Sequence, residues 1–194
     1  MIRSFLFAFI FGIASPAFAQ SYDDTLFAEI NLARTQPQAY ARIITERGPA
    51  IGNSAKAVTD AVRFLEKQKP VASLSFSPGL TQAALSHVLD TGPRGIKGHA
   101  GTDGSRVTKR VDRFGRWDVR VAENLCYGRL GARDMIVCLI VDEGVRDLYH
   151  RRNIFDKSFR HIGVASGPHA TMGYMMCSDF AAKYTEGGRT LARR

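Results

Sequence analysis

Four side chains in this sequence could meet to do chemistry: His99, Glu123, Glu143 and His150. They run in the order His, Glu, Glu, His. Neutral imidazoles ligate divalent metals, and carboxylates ligate, orient a histidine or hold a water. His99 lies in Gly98-His99-Ala100-Gly101-Thr102-Asp103-Gly104-Ser105, where small neighbours leave its ring accessible. His150 lies in Tyr149-His150-Arg151-Arg152-Asn153. Glu123 falls in a run that reads as a half-buried strand, where a lone carboxylate is costly and needs a partner. Glu143 and its neighbour Asp142 end a helical run, where the macrodipole disfavours acids. Such local violations are enriched at functional sites. The second acid of the group is therefore Glu143 or Asp142. His87, His161 and His169 have no such context and read as structural.

These residues have to be carried by a scaffold, and the chain supplies it in order. Residues 23–34 place Leu26, Phe27, Ile30 and Ala33 at helical spacing. Thr35 can cap a second helix with Pro37 in its first turn, ending before Gly48-Pro49. Residues 54–68 repeat the pattern with Val58, Val62 and Leu65 until Pro70. Ser77-Pro78 opens a fourth helix carrying Leu80, Ala84 and Val88. Thr102 or Asp103 can cap a fifth, with Val107, Val111 and Phe114 on one face. Trp117, Val119 and Val121 alternate as a strand. Residues 134–142 form a short helix. The runs at Ile162–Val164 and Met172–Phe180 predict an antiparallel hairpin turning at Ser166-Gly167-Pro168-His169. The tail after Ala182 is polar and basic. This order predicts an α+β domain with a small antiparallel sheet covered by helices.

The composition sets the setting. The start carries Arg3, an apolar run from Phe5 to Ala14, and Ala17-Phe18-Ala19. That is the pattern of a secretory signal peptide at 1–19, with Gln20 as the mature N-terminus. A domain at 20–182 and a basic tail at 183–194 follow. The chain carries 27 Lys and Arg against 18 Asp and Glu, net +9. In an exported protein, in the periplasm or outside the cell, this excess suits anionic envelope polymers or lipid headgroups. Export excludes nucleic acid, and no later run spans a bilayer. Cys126, Cys138 and Cys177 allow one disulfide with one thiol left over, and spacing does not choose the pair. The absence of C-x-x-C argues against a redox enzyme.

Five motifs in order resemble one family. They are Asn31-Leu32-Ala33-Arg34-Thr35-Gln36-Pro37, the His99 segment with Arg110 and Gly115, and Ala122-Glu123-Asn124-Leu125. His150-Arg151-Arg152-Asn153-Ile154 and Cys177-Ser178-Asp179-Phe180-Ala181 complete the set. Together the chain resembles the CAP superfamily (cysteine-rich secretory proteins, antigen 5, pathogenesis-related 1), or SCP domain, in its compact microbial branch. The resemblance implies an α-β-α sandwich and a cleft lined by a His-Glu-Glu-His tetrad. His99, Glu123 and His150 carry over directly, and alignment of residues 137–143 puts Glu143 in the fourth place. A metal between His99 and His150, such as zinc, is one expectation, and a purely structural, hydrogen-bonded tetrad is its rival. A binding role toward an extracellular peptide, lipid or anionic polymer is also expected. The alternatives are a metal-dependent hydrolase of peptide or cell-wall bonds and a lipid- or sterol-binding protein. There is no H-E-x-x-H, G-x-S-x-G or S-x-x-K, so an enzyme is the less favoured reading.

Overall fold

The structure, a computed structural model, describes residues 16–187, with side chains described from residue 20. The expected leader lies outside the described residues except for the backbone of 16–19, which belongs to the first helix. The end of the expected tail, 188–194, also lies outside them.

Seven α-helices and four strands are described: α1 (Pro16–Thr35), α2 (Pro37–Ala50), α3 (Ala55–Lys67), β1 (Ser75–Phe76), α4 (Pro78–Thr91), α5 (Val107–Val111), β2 (Gly115–Tyr127), α6 (Ala132–Val141), α7 (Tyr149–Phe155), β3 (His161–His169) and β4 (Gly173–Glu186). The strands form one sheet in the order β1-β3-β4-β2. β4 pairs antiparallel with both β3 and β2. The short β1 runs parallel to β3, so the sheet is mixed rather than wholly antiparallel. The chain reaches β1 from α3 and leaves it through α4, and that crossover permits the parallel pairing.

Strand alternation sends side chains to two helical layers. Met176 and Phe180 of β4, Cys126 of β2 and Ile162 and Val164 of β3 join the large core with Leu26, Ile30, Ile44, Leu65, Met135 and Ile140 from α1, α2, α3 and α6. Met175, Cys177 and Ala181 face the other way, toward Leu80, Ala84 and Val88 of α4 and Val111 of α5. The result is the expected α-β-α sandwich. α4 presses on β3 so closely that a Cβ on Gly163 would lie 2.0 Å from the Thr81 backbone nitrogen. Only glycine permits that approach.

The cap chemistry explains several boundaries. Ser54 accepts from the Ala57 amide and opens α3. Ser77 accepts from the Leu80 amide and opens α4, with Pro78 just inside. Other boundaries differ from the sequence reading. Thr35 donates back to the Asn31 carbonyl at 2.7 Å and ends α1 instead of capping α2. Pro49 lies inside α2. Asp103 accepts from the Ser105 amide in a turn, and α5 starts only after Arg106. Val119 sits at φ 72 in a bulge of β2 and is 75% exposed, so it breaks the alternation it was expected to continue. The hairpin turns after His169 rather than at Ser166–His169, because Ser166 and Gly167 still pair with Met176 and Met175. β4 continues to Glu186, whose carboxylate accepts from Ser77 Oγ at 2.6 Å and the Gly79 amide at 2.7 Å. The first part of the expected tail is thus sheet.

Two motif residues near the N-terminus act in the fold. Asn31 grips the Leu74 backbone through both amide atoms, at 3.1 and 2.7 Å. Arg34 is fully buried and donates to the carbonyls of Ala72, Ile154 and Asp156. Burying a guanidinium is tolerable only with such saturation.

Candidate functional site

His99 lies on the loop between α4 and α5. Gly98, at φ 102, turns the chain there, donates its amide to Tyr127 Oη and accepts from His87 Nε2, both at 3.0 Å. His87 is buried, and burial lowers its pKa. It is the structural histidine expected, as is buried His169, which donates to the Ile96 carbonyl at 3.2 Å.

The His99 ring, about a third exposed, places Nδ1 2.8 Å from Glu123 Oε1. A carboxylate only accepts, so Nδ1 carries a proton toward Glu123 and Nε2 faces away from it. Tyr149 Oη stands 3.2 Å from that Nε2. Glu123 projects from β2 toward α4 and α5, and its other oxygen, Oε2, accepts from Arg110. Arg110 is held in turn by the carbonyls of Ser105, at 2.7 Å, and His99, at 3.2 Å. Burial would raise the Glu123 pKa, but the hydrogen bond to His99 and the Arg110 charge outweigh it and hold it down at about 2.

His150 repeats the arrangement with a different acid. Its Nδ1 lies 2.7 Å from Asp142 Oδ1, and Asp142 Oδ2 accepts from the Arg151 amide at 3.1 Å. Asp142 closes α6 in the left-handed conformation at φ 58, which turns its side chain back toward α7. The acid that joins His150 is therefore Asp142. Glu143 is placed elsewhere: it accepts from the Ser54 amide at 2.9 Å, at the start of α3, and hydrogen bonding there lowers its pKa. Glu143 as the fourth member of the tetrad is corrected on this geometry. The one-residue difference follows from the left-handed turn at 142, which sends successive side chains in opposite directions.

Tyr149 links the two halves. Its ring lies 6.1 Å from that of His99 and 4.1 Å from that of His150, centroid to centroid. Asp147 and Leu148, just before it, hold positive φ of 59 and 49. Strained backbone of this kind persists where the surroundings over-determine it, often beside functional sites. Two asparagines fix α7 on the sheet. Asn124 donates to the His150 carbonyl at 3.0 Å and accepts from Asn153 at 2.8 Å. Arg151 donates to the Ile140 and Val141 carbonyls, satisfying the C-terminus of α6. Sequence reasoning placed Asn124 correctly as a backbone partner and missed Tyr149, whose one available signal was its position beside His150.

A second cluster lies beneath Glu123. Ligand atoms of Glu123, Cys177 and Asp179, all buried, sit within 4.8 Å of one another. Such a set could hold a metal. Arg110 already occupies one oxygen of Glu123, however, and burial followed by the Glu123 charge pushes Asp179 well above the usual carboxylate range. A proton on Asp179 relieves the repulsion between the two acids without an ion.

The fold carries two His-carboxylate pairs, and its family is recognisable among known proteins. The model of the cysteine-rich secretory protein family, CAP, matches residues 27–180. The chain belongs to that family. Among solved structures it is similar to an extracellular SCP-domain protein from Bacillus anthracis, at 15% identity and a TM-score of 0.52. That match covers 89% of this chain and 45% of the other, so the chain spans less than half of that protein's length. An outer surface protein of Borrelia burgdorferi matches at 13% identity and a TM-score of 0.47, over 57% of this chain and 78% of that one. A cysteine-rich secretory protein from Staphylococcus aureus matches at 13% and 0.40, over 69% and 41%. No curated protein matches. Among the described residues, no helix is long and apolar enough to cross a membrane.

Proposed function

We propose that this chain is an exported CAP-domain binding protein whose cleft takes a divalent cation, such as zinc, between His99 and His150. One observation carries the reading. Each imidazole gives Nδ1 to a buried carboxylate, Glu123 or Asp142, at 2.8 and 2.7 Å. This leaves Nε2 of each ring as the atom able to ligate, an ion displacing the Tyr149 hydroxyl that stands 3.2 Å from Nε2 of His99. Carboxylate–histidine pairs of this form orient and strengthen metal-ligating imidazoles. Imidazole nitrogens are donors of the type that zinc takes. Bound there, the ion would supply a positive anchor for a carboxylate, phosphate or carbonyl group of the ligand.

Binding is favoured over hydrolysis by the ligand count. Catalytic zinc ordinarily has three protein ligands and one open position. Glu123 spends one oxygen on His99 and the other on Arg110, so it is no third ligand. Export is supported by Arg3, the apolar run to Ala14 and the Ala17-Phe18-Ala19 site. The net charge of +9 suits an anionic envelope ligand.

The test is a thermal melt with and without zinc, at about pH 7.5 and about pH 5.5, on wild type, His99→Ala and His150→Ala. Zinc at a hundredfold excess over its Kd stabilises the folded state by about 2.7 kcal/mol. Protons compete for the imidazoles, so the gain shrinks at the lower pH. Either alanine variant loses most of it. Equal zinc shifts in wild type and both variants would refute the site.

A further inference from the structure

We propose that Cys126 and Cys138 form a disulfide that staples α6 to β2 and leaves Cys177 as the single free thiol. Cys126 lies near the end of β2, opposite Met176, on the face that meets the large core. Cys138 lies in α6 and packs against that same core from the helical side. α6 packs on β2 there, and the two thiols lie near enough for each to shift the other's titration. Only Gly128–Gly131 connects β2 to α6, so the strand end and the helix form a tight hairpin-like unit.

Cys177 is excluded from this pair by strand geometry. It stands opposite Leu125, one residue from Cys126, so its side chain leaves the opposite face of the sheet. There it is fully buried against Glu123, at 3.3 Å, and α4.

The chemistry has a natural direction. Cys138 is partly exposed, whereas Cys126 is buried. The hydrogen bond from Cys126 lowers the Cys138 pKa, while the Cys126 thiol is raised by that hydrogen bond and then by burial. The Cys138 thiolate attacks the disulfide of an exogenous thiol–disulfide oxidant and forms a mixed disulfide, releasing one oxidant sulfur as a thiol. The Cys126 sulfur, on losing its proton, then attacks the Cys138 sulfur. The second oxidant sulfur departs as a thiol, and the Cys126–Cys138 bond remains. Two protein thiols are oxidised and one oxidant disulfide is reduced to a dithiol.

The bond would also bear on the cleft. Cys138 accepts from the Asp142 amide at 2.8 Å, one turn before the residue that orients His150. Fixing Cys138 to β2 therefore ties the Asp142 end of α6 to the strand that carries Glu123.

The experiment is thiol counting on the full chain exported to an oxidising compartment, denatured without reductant and alkylated. One alkylated cysteine, Cys177, is expected, rising to three after reduction. Peptide mapping should show residues 126 and 138 linked, and Cys177→Ser should leave that link intact while bringing the unreduced count to zero. Because either cysteine of the pair could be needed for folding, wild type is also melted with and without reductant. The oxidised form should melt higher, and Cys138→Ser should lose that difference. Three alkylated thiols without reductant, a link that includes Cys177, or equal melting of oxidised and reduced wild type would each overturn the proposal.

Discussion

Glu123 and Asp179 stand directly opposite each other across β2 and β4, two buried acids beside a single guanidinium, that of Arg110. Two carboxylates this close cannot both ionise cheaply. The Glu123 charge is held by His99 and Arg110, so the proton goes to Asp179. Asp179 Oδ2 is buried without a hydrogen-bond partner, so no donor there stabilises a second charge.

Asp179→Asn should therefore be tolerated, because the amide copies the protonated acid. The native pKa is raised above the unfolded 3.8. The stability it contributes is thus fully present below about 3.8 and is lost as pH rises through the native value. Asparagine removes that loss. Melting temperatures across a pH series should show the variant equal to wild type in acid and increasingly above it toward alkaline pH. A constant difference across the series would mean that Asp179 is ionised throughout.

Glu123→Gln should do the opposite. It leaves Arg110, 1% exposed, without its counter-charge. Breaking a buried pair in this way costs about 3–5 kcal/mol. The native pKa of about 2 lies below the ordinary 4.5. The carboxylate's contribution is therefore present above pH 4.5 and is lost as pH falls toward 2. Urea titrations should show the large loss at neutral pH and a flatter acid limb for the variant. An unchanged midpoint at neutral pH would show that the pair contributes little.

Asp142 and Glu143 separate cleanly. Asp142→Asn removes the charge that orients His150 in a buried setting, at a cost of about 1–3 kcal/mol. It should also weaken zinc binding by roughly 10–100-fold. Glu143→Gln touches an exposed cap on α3, where glutamine still accepts from the Ser54 amide, so stability should change by no more than about 0.5 kcal/mol. Zinc titration by calorimetry beside a denaturant melt reads both effects. Equal affinity in the two variants would place the second acid outside the zinc site.

Much of this was legible in the residues. Helical spacing, the Ser77-Pro78 cap and the motif order determined the helices, the α+β class and the family. They also singled out His99, Glu123 and His150, since each sits in a motif whose local pattern survives folding. Cap and turn positions were less legible, because Thr35 and Asp103 had two local hydrogen-bonding choices each. The mixed sheet was not legible at all. β1 is only Ser75–Phe76, too short to show alternation, and its pairing is decided by the return of β3 alongside it. Tertiary structure alone decided that Asp142, not Glu143, orients His150, through one left-handed residue. It alone brought Asp179 to Glu123 and Cys126 to Cys138, because those neighbours come from separate elements. A sequence lists donors and acceptors along one dimension; which carboxylate meets which imidazole depends on strand register and helix ends, fixed only when the layers pack.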